Sequence, residues 1–264
     1  MGEVGGTGGT MTGGACLLIH GFGGAPFEME PLAVALSEAG VEAHVITLPG
    51  HDATLEDFEA TCFDDWARHA DECYRDLEAR AGRVVVVGLS MGGTLALHLG
   101  CRFRPAGVVA LAAPVFLYRA VPFVMQDWRL PFVGLLKRVR RRWPVPCRKP
   151  EATAVAPWRG YDGVMALPQL HSLIKGMGQV ERELPLLVAP LLLMHARGDR
   201  TVPVENALHI ARRVTSDDVC VRLFGLADRV AGHHLITTHR ESRSFVAREV
   251  VSFTQRALSQ NCKK

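Results

Sequence analysis

The residue best placed for covalent chemistry is Ser90, which stands in the stretch Gly88-Leu89-Ser90-Met91-Gly92 directly after four valines. This G-x-S-x-G pattern follows an apolar, strand-like run and precedes a helical pattern, and a nucleophile elbow requires that context. The turn is so sharp that glycine is needed two residues before and two residues after the serine. The pattern therefore predicts an exposed, nucleophilic hydroxyl. The alternative is a tight strand–helix turn that contains a serine without a catalytic role.

A serine hydroxyl is a weak nucleophile at neutral pH, so it needs a base and a group that orients the base. Asp199 follows an apolar run at the place where a strand would end, and His233 and His234 lie further along, in a loop before the last helical pattern. The order serine, aspartate, histidine is the order used by proteins with a nucleophile elbow. Taken alone, Asp199 also suits a turn or a helix N-cap, because aspartate favours both.

Backbone donors for a developing oxyanion are expected at two glycine-rich turns. The first apolar run ends in HGFGG (residues 20–24), where missing side chains let the backbone approach a ligand closely. The amides of Phe22 and Met91 are the predicted donors, and a glycine-rich turn without a ligand is the alternative. We expect His20 to be a structural histidine bonded to backbone rather than a second base.

Six short apolar runs predict strands, at residues 15–21, 43–50, 83–90, 107–114, 189–199 and 218–225. Their continuous rather than alternating hydrophobicity is typical of strands that are covered on both faces. Helical patterns alternate with them, at residues 29–39, 64–81, 92–102, 204–214 and 240–258. This alternation predicts an α/β fold with a mostly parallel sheet and right-handed crossovers.

The alternation breaks at residues 115–187, which contain several prolines and no evident strand pattern. Helical periodicity occurs twice in this segment, so we expect a helical insertion that lies over the C-terminal edge of the sheet. A basic stretch at residues 137–143 follows an apolar helical pattern. Such a basic end can make weak contact with an anionic lipid surface, and a solvated surface is the alternative.

The composition excludes several classes of protein. The chain has 264 residues, of which 48% are hydrophobic and 22% charged, as in ordinary globular proteins. A net charge of +3 is too small to indicate a nucleic-acid partner, and no apolar run reaches the ~20 residues that cross a bilayer. Residues 1–14 are glycine-rich without the features of a secretory signal, so we expect a flexible tail. Seven cysteines without a CxxC motif indicate neither a disulfide framework nor a zinc cluster, and they favour a reducing, cytoplasmic location.

The set HGFGG, GLSMGG, GDRTVP and GHHLITTH resembles the α/β-hydrolase superfamily, and within it the small bacterial carboxylesterases and monoacylglycerol lipases. The resemblance covers nearly all of residues 15–258 and is weakest in the insertion. It implies an α/β-hydrolase fold with a mostly parallel central sheet flanked by helices. Residues 15–114 and 188–260 would form the core, and residues 115–187 would form a helical cap.

The resemblance also selects between the two neighbouring histidines. The family's histidine stretch, laid on this chain, places the catalytic histidine at His234 and leaves His233 as a solvated loop residue. The chain departs from the family five residues later, where His239 stands in place of an aspartate.

A two-step acyl transfer is the chemistry that the resemblance implies. Ser90 attacks an ester carbonyl while His234 takes its proton, and Asp199 fixes the tautomer of His234. The amides of Phe22 and Met91 hold the oxyanion. His234 then protonates the leaving alcohol, and water releases the acid. No metal and no organic cofactor is needed.

The expected substrate is a small molecule, an ester of a short- to medium-chain acyl group or a monoacylglycerol. Apolar side chains would line the acyl pocket, and the candidates are Phe22, Phe123 and Trp128. Packing of the cap onto the sheet is the alternative role for the cap residues. A thioester, a lactone or a carbon–carbon bond would suit the same catalytic residues, whereas a hydrolase-like module that only binds a ligand would have a broken triad.

Overall fold

The structure, a computed structural model, describes residues 13–120 and 123–260. Within them the chain forms ten strands: β1 (Ala15–Ile19), β2 (Glu42–Ile46), β3 (Val84–Leu89), β4 (Gly107–Leu111), β5 (Tyr118–Arg119), β6 (Val124–Met125), β7 (Arg142–Pro144), β8 (Val164–Ala166), β9 (Leu191–Ala196) and β10 (Val219–Phe224). Six of these strands form one sheet in the spatial order β10-β9-β4-β3-β1-β2, and every pair in it is parallel.

Nine α-helices lie in the same described residues: α1 (Glu30–Glu38), α2 (Leu55–Glu59), α3 (Phe63–Ala81), α4 (Met91–Arg102), α5 (Val133–Val139), α6 (Pro150–Val155), α7 (Leu167–Glu183), α8 (Glu205–Arg213) and α9 (Arg243–Ser259). Helices α1 and α9 pack on one face of the large sheet, and α3 and α4 pack on the other. None of the helices in the described part of the chain is both long enough and apolar enough to span a membrane.

The four inner strands are buried because alternate residues along them enter two different apolar cores. In β3, Val84 and Val86 face the core built with α3 and α4, whereas Val85 and Val87 face the core built with α1 and α9. The edge strands β2 and β10 are only partly covered. Covering on both faces explains why the inner strands read as continuous apolar runs rather than alternating ones.

The predicted α/β fold with its parallel sheet is confirmed, with all six strands and all five helices present and their ends displaced by a few residues. The short helix α2 was not predicted, because five residues are too few to show a helical period. Of the predicted tail, residues 1–12 lie outside the described residues.

The insertion between β4 and β9 differs from the purely helical segment that we predicted. It contains α5, α6 and α7, and also two antiparallel strand pairs, β5-β6 and β7-β8. Strands of two or three residues are too short to show an alternating pattern, and Pro144 ends one of them, which explains why they escaped prediction. Helix α7 packs on α3 and α4, so the insertion is anchored to the sheet's helical layer.

The parallel arrangement positions the candidate site. Strands β1, β3 and β9 all end at the same edge of the sheet, and the segments with Phe22, Ser90 and Asp199 follow them directly. In open α/β sheets this carboxyl edge is where ligands bind.

Candidate active site

Ser90 occupies a strained turn between β3 and α4. Its backbone φ of +56° lies in the left-handed region that side-chain-bearing residues avoid. A Cβ atom on Gly88 would overlap the carbonyl of Gly92, and one on Gly92 would overlap the carbonyl of Ile19. The turn is held by a hydrogen bond of 2.8 Å from the Ser90 N–H to the Leu111 carbonyl. Both glycines are therefore required for the hydroxyl to stand above the sheet edge.

Ser90, His234 and Asp199 form a continuous series of hydrogen bonds. The Nε2 atom of His234 lies 2.8 Å from Ser90 Oγ, and its Nδ1 atom lies 2.7 Å from Asp199 Oδ2. Since the carboxylate can only accept, Nδ1 carries the ring proton and Nε2 is free to accept the serine proton. This arrangement permits general-base activation of the hydroxyl.

Asp199 is held as a buried carboxylate by four donors. Its Oδ1 accepts the N–H groups of Thr201 and Val202 at 2.7 and 2.9 Å, and its Oδ2 also accepts Nε2–H of His195 at 3.2 Å. Burial opposes ionisation, but the charge of His234 and the hydrogen bonds from both histidines outweigh it, so the pKa of Asp199 lies far below its ordinary value. Asp199 therefore stays ionised beside His234.

The pKa of His234 is raised above its ordinary value. Burial by itself lowers this pKa, but the charge of Asp199 and its hydrogen bond outweigh burial, and the charge of Glu28 acts in the same direction. The loop that carries His234 is pinned by Asp228, whose carboxylate accepts the N–H groups of Val230 and Ala231 at 3.0 and 2.8 Å. His234 is thus presented to Ser90 from a hydrogen-bonded loop.

His233 takes a different position from the one predicted for it. We expected a solvated residue, but His233 is 9% exposed, and its Nε2 contacts the carbonyl oxygen of Asp228 rather than Ser90. Its φ of +57° turns the side chain against Gly198, so only His234 contacts the serine. His239, which stands where the family has an aspartate, is also buried. Its Nε2 donates to the carboxylate of Asp228 in the same loop at 3.4 Å.

Of the two predicted oxyanion donors, Phe22 lines the cavity together with Ser90, and Met91 directly follows Ser90 in the chain. Met91 is the first residue of α4, so its N–H points out of the positive end of a twelve-residue helix. Within the described chain, neither this N–H nor that of Phe22 donates to a protein acceptor. Neither amide is therefore used by an acceptor in these parts of the chain, and the role of both as oxyanion donors stays a prediction.

His20 has the structural position that we expected for it. Its Nε2 accepts the Leu48 N–H at 3.1 Å, and its Nδ1 lies 3.0 Å from the Gly21 carbonyl. Burial lowers the pKa of His20 to about 4, so the ring is neutral at physiological pH. It links β1 to the segment after β2 and does not contact Ser90.

A cavity of about 570 Å³ opens above Ser90 and His234, and the insertion supplies most of its wall. Its apolar side comes mainly from the region of α5 and from α7, with Leu130, Val133, Leu136, Leu167, Leu170 and Leu173. Polar groups also reach the wall, among them Glu28, Arg148 and Asp162. This volume and mixed lining suit a small, mostly apolar ligand.

Of the three predicted substrate contacts, Phe22 lines this cavity, whereas Phe123 and Trp128 do not. Phe123 is 74% exposed and Trp128 is 67% exposed, so their assignment to the substrate pocket is corrected. The physical reason is that these two residues lie on the outer side of the insertion, where Trp128 contacts Phe132 instead of the cavity.

Sequence reasoning missed three polar residues around the site. His195 donates to Asp199, Glu28 accepts the Gly21 N–H at 2.7 Å, and Arg148 lies in the cavity wall. The signals were a histidine at the end of an apolar strand and a glutamate just after the glycine-rich turn, and neither is specific. Among the described residues no group of three potential ligands could hold a metal ion, and the cysteines present there are free thiols.

Known proteins are similar to this chain in sequence and in fold. Residues 16–248 match the model of the alpha/beta hydrolase family. The chain is 31% identical over 244 residues to a thermostable monoacylglycerol lipase of Bacillus sp. (strain H-257), an alignment that covers 91% of this chain and 90% of the relative. It is 26% identical over 244 residues to a carboxylesterase of Bacillus subtilis (strain 168), with 92% of each chain covered.

Solved structures agree on the fold. The crystal structure of the monoacylglycerol lipase from Paleococcus ferrophilus matches with a TM-score of 0.73 at 19% identity, over 94% of this chain and 96% of the other. The family model spans most of the sequence, and the strand order and the relatives are consistent with it. The chain belongs to the alpha/beta hydrolase family.

Proposed function

We propose that this chain is a serine hydrolase that cleaves carboxylic esters of short- to medium-chain acyl groups, or monoacylglycerols, through an acyl-enzyme. The observation that carries the proposal is the hydrogen-bonded series Asp199–His234–Ser90 beside a cavity with an apolar side. The similarity to a monoacylglycerol lipase and to a carboxylesterase supports an ester as the substrate.

The proposed reaction has two steps. Ser90 Oγ attacks the ester carbonyl as its proton passes to His234 Nε2, and the resulting imidazolium is stabilised by the Asp199 carboxylate. The amides of Phe22 and Met91 donate to the oxyanion, and the positive end of α4 favours the negative charge. His234 then protonates the leaving alcohol. A water molecule, deprotonated by the same ring, releases the acid from Ser90.

We propose that residues 115–187 act as a cap over a core formed by residues 15–114 and 188–260. The cap's apolar side chains from α5 and α7 would hold the acyl chain and exclude water from the tetrahedral intermediate. Phe22 would contact the acyl group next to the scissile bond. The polar wall with Arg148 would face the alcohol.

The outer surface of the cap has exposed apolar side chains that are suited to a weak contact with lipid. Four apolar side chains just before and within α5 are more than half exposed, namely Trp128, Phe132, Leu135 and Val139, and the basic stretch at residues 137–143 adjoins them. We propose that this surface touches anionic lipid without insertion of a helix. A cytoplasmic location is also proposed, since the free thiols of the described cysteines suit a reducing compartment.

The test uses the variant Ser90→Ala, with Ser37→Ala, at an exposed position of α1, as the matched control. We expect Ser90→Ala to lose hydrolysis of p-nitrophenyl butyrate and labelling by a fluorophosphonate, while its circular dichroism spectrum is unchanged. Ser37→Ala should keep both activities. Labelled wild-type protein that hydrolyses no ester would point instead to a thioester, a lactone or a carbon–carbon bond, and unlabelled wild-type protein to a binding module.

A series of p-nitrophenyl esters from acetate to decanoate tests the acyl pocket. Each methylene that enters the apolar wall should add about 0.8 kcal/mol of binding until the cavity is full. We expect kcat/KM to rise from acetate to a medium-chain ester and then to fall. Turnover of acetate alone would contradict the proposed role of the cap.

A further inference from the structure

Glu28 places a carboxyl group against the back of the oxyanion loop, residues 20–24. It lies one turn after the loop, is 1% exposed, and accepts the Gly21 N–H at 2.7 Å through Oε2. Its Oε1 packs against Gly24 so closely that a Cβ atom there would overlap it. The carboxyl group is therefore enclosed by the loop whose Phe22 amide is the proposed oxyanion donor.

Glu28 forms no ion pair with any residue in the described parts of the chain, although it lines the cavity beside Ser90. The charged groups that face it are His234 from the loop before α9 and Arg148 from the cap, and Asp162 lies beyond Arg148. Burial raises the pKa of Glu28 to about 7, although the Gly21 N–H, His234, Trp158 and Arg148 partly oppose the rise.

We propose that Glu28 is a positioning residue for the ester hydrolysis proposed above: its carboxylate fixes the oxyanion loop through the Gly21 N–H and supplies a second negative charge for the imidazolium of His234. The inference rests on the proposed function. Glu28 acts through Phe22 and His234, since it does not itself touch the reacting atoms.

The two effects of Glu28 have separate physical origins. The hydrogen bond to Gly21 restrains the peptide that precedes Phe22, so it controls where the Phe22 N–H points, and small displacements of such a donor cost much of its effect. The charge acts at a distance, because a negative group near His234 favours the protonated ring that forms during acylation. A buried carboxylate without an ion pair is costly, so a neutral residue would suffice if only packing mattered.

The variants Glu28→Gln and Glu28→Ala separate these effects, and Glu30→Gln, at the exposed first residue of α1, is the matched control. Glutamine keeps an oxygen acceptor for Gly21 but removes the charge, whereas alanine removes both. All rates are normalised to active sites counted by fluorophosphonate titration, so that loss of folded protein does not count as loss of rate.

For Glu28→Gln we expect an unchanged KM, a kcat lowered several-fold, and an acid limb of kcat/KM shifted to lower pH, because the pKa of His234 falls. For Glu28→Ala we expect a kcat lowered about 100-fold with little change in KM. The affinity of Glu28→Ala for a trifluoromethyl ketone should fall in parallel, because its tetrahedral adduct uses the same amide donors. Glu30→Gln should behave as wild type.

The proposal is overturned if Glu28→Gln keeps the wild-type kcat per site and the wild-type acid limb, as a residue needed only for packing would. Should Glu28→Ala fail to fold, the pH profile of Glu28→Gln decides alone. Wild-type protein that cleaves no ester and takes no fluorophosphonate would refute the proposed function itself, which is a different result from active wild type with unaffected variants.

Discussion

The substitution Asp199→Asn changes one atom of the site and tests the role proposed for the carboxylate. In the wild type, Oδ1 accepts two backbone N–H groups, and Oδ2 accepts His234 Nδ1–H at 2.7 Å. If the asparagine oxygen keeps the backbone bonds, its NH₂ group faces both His234 and His195, which would place donors against donors. His234 must then move its proton from Nδ1 to Nε2, where it points at Ser90.

The magnitude follows from this change of tautomer. A ring with its proton on Nε2 cannot accept the proton of Ser90, so kcat should fall by roughly 10⁴-fold, equivalent to about 5 kcal/mol of transition-state stabilisation. The pH profile provides a second measure. Because the charge of Asp199 helps to raise the pKa of His234 in the wild type, its removal lowers that pKa, and the acid limb should move to lower pH.

The assay is the steady-state hydrolysis of p-nitrophenyl butyrate between pH 5 and pH 9, with Asp217→Asn in the exposed loop before β10 as the control. Circular dichroism and thermal melting establish that the variant is folded. Asp199→Asn that keeps more than a tenth of the wild-type kcat, or that loses activity with an unmoved acid limb, would refute the reasoning. It would mean that His234 is oriented by other contacts.

Three further predictions concern the turn, the buried acid and the cap. Gly92→Ala should destabilise the fold by about 3 kcal/mol in urea unfolding, because its Cβ would overlap a β1 carbonyl. Gly178→Ala in α7 should instead stabilise the fold by up to about 1 kcal/mol, because its Cβ would lie 3.9 Å from the Arg182 side chain and overlap nothing. Because the pKa of Glu28 is raised from 4.5 to about 7 in the folded chain, wild-type stability should fall as pH rises through that window; Glu28→Gln should remove this dependence and gain up to about 3 kcal/mol at pH 8. Joint exchange of Trp128 and Phe132 for serine should weaken sedimentation with phosphatidylglycerol vesicles about tenfold, and phosphatidylcholine vesicles should bind neither protein.

The sequence was sufficient for the fold and for the proximity of Ser90, Asp199 and His234 because each depends on a local pattern. Continuous apolar runs are typical of strands buried on both faces, and the two glycines of the elbow are fixed by contacts within one turn. Parallel strands then bring their carboxyl ends together, so residues distant in the chain become neighbours. The catalytic roles of these residues stay predictions that the variants above would test.

The acidic and basic neighbours of the site could not be predicted in the same way. Glu28 matters because of its distance from Gly21 and His234, and His195 because of its distance from Asp199, and a single sequence does not contain these distances. The residue type alone does not show whether a carboxylate is buried or exposed. The packing around Glu28 makes the largest contribution to its raised pKa, and the nearby N–H of Gly21 and the charge of His234 oppose it.

Helix α5 explains why the sequence predicted the structure of the insertion only in part, and it also allows the two proposed roles of the insertion to be tested separately. The helix is apolar on two sides: Val133 and Leu136 line the cavity, whereas Leu135 and Val139 are 61% and 86% exposed. Helical periodicity identifies one apolar stripe and does not say which side of a doubly apolar helix faces inward. Since the two sides contact different surroundings, substitutions at Leu136 should change acyl-length preference and leave vesicle binding intact, and substitutions at Leu135 should do the reverse.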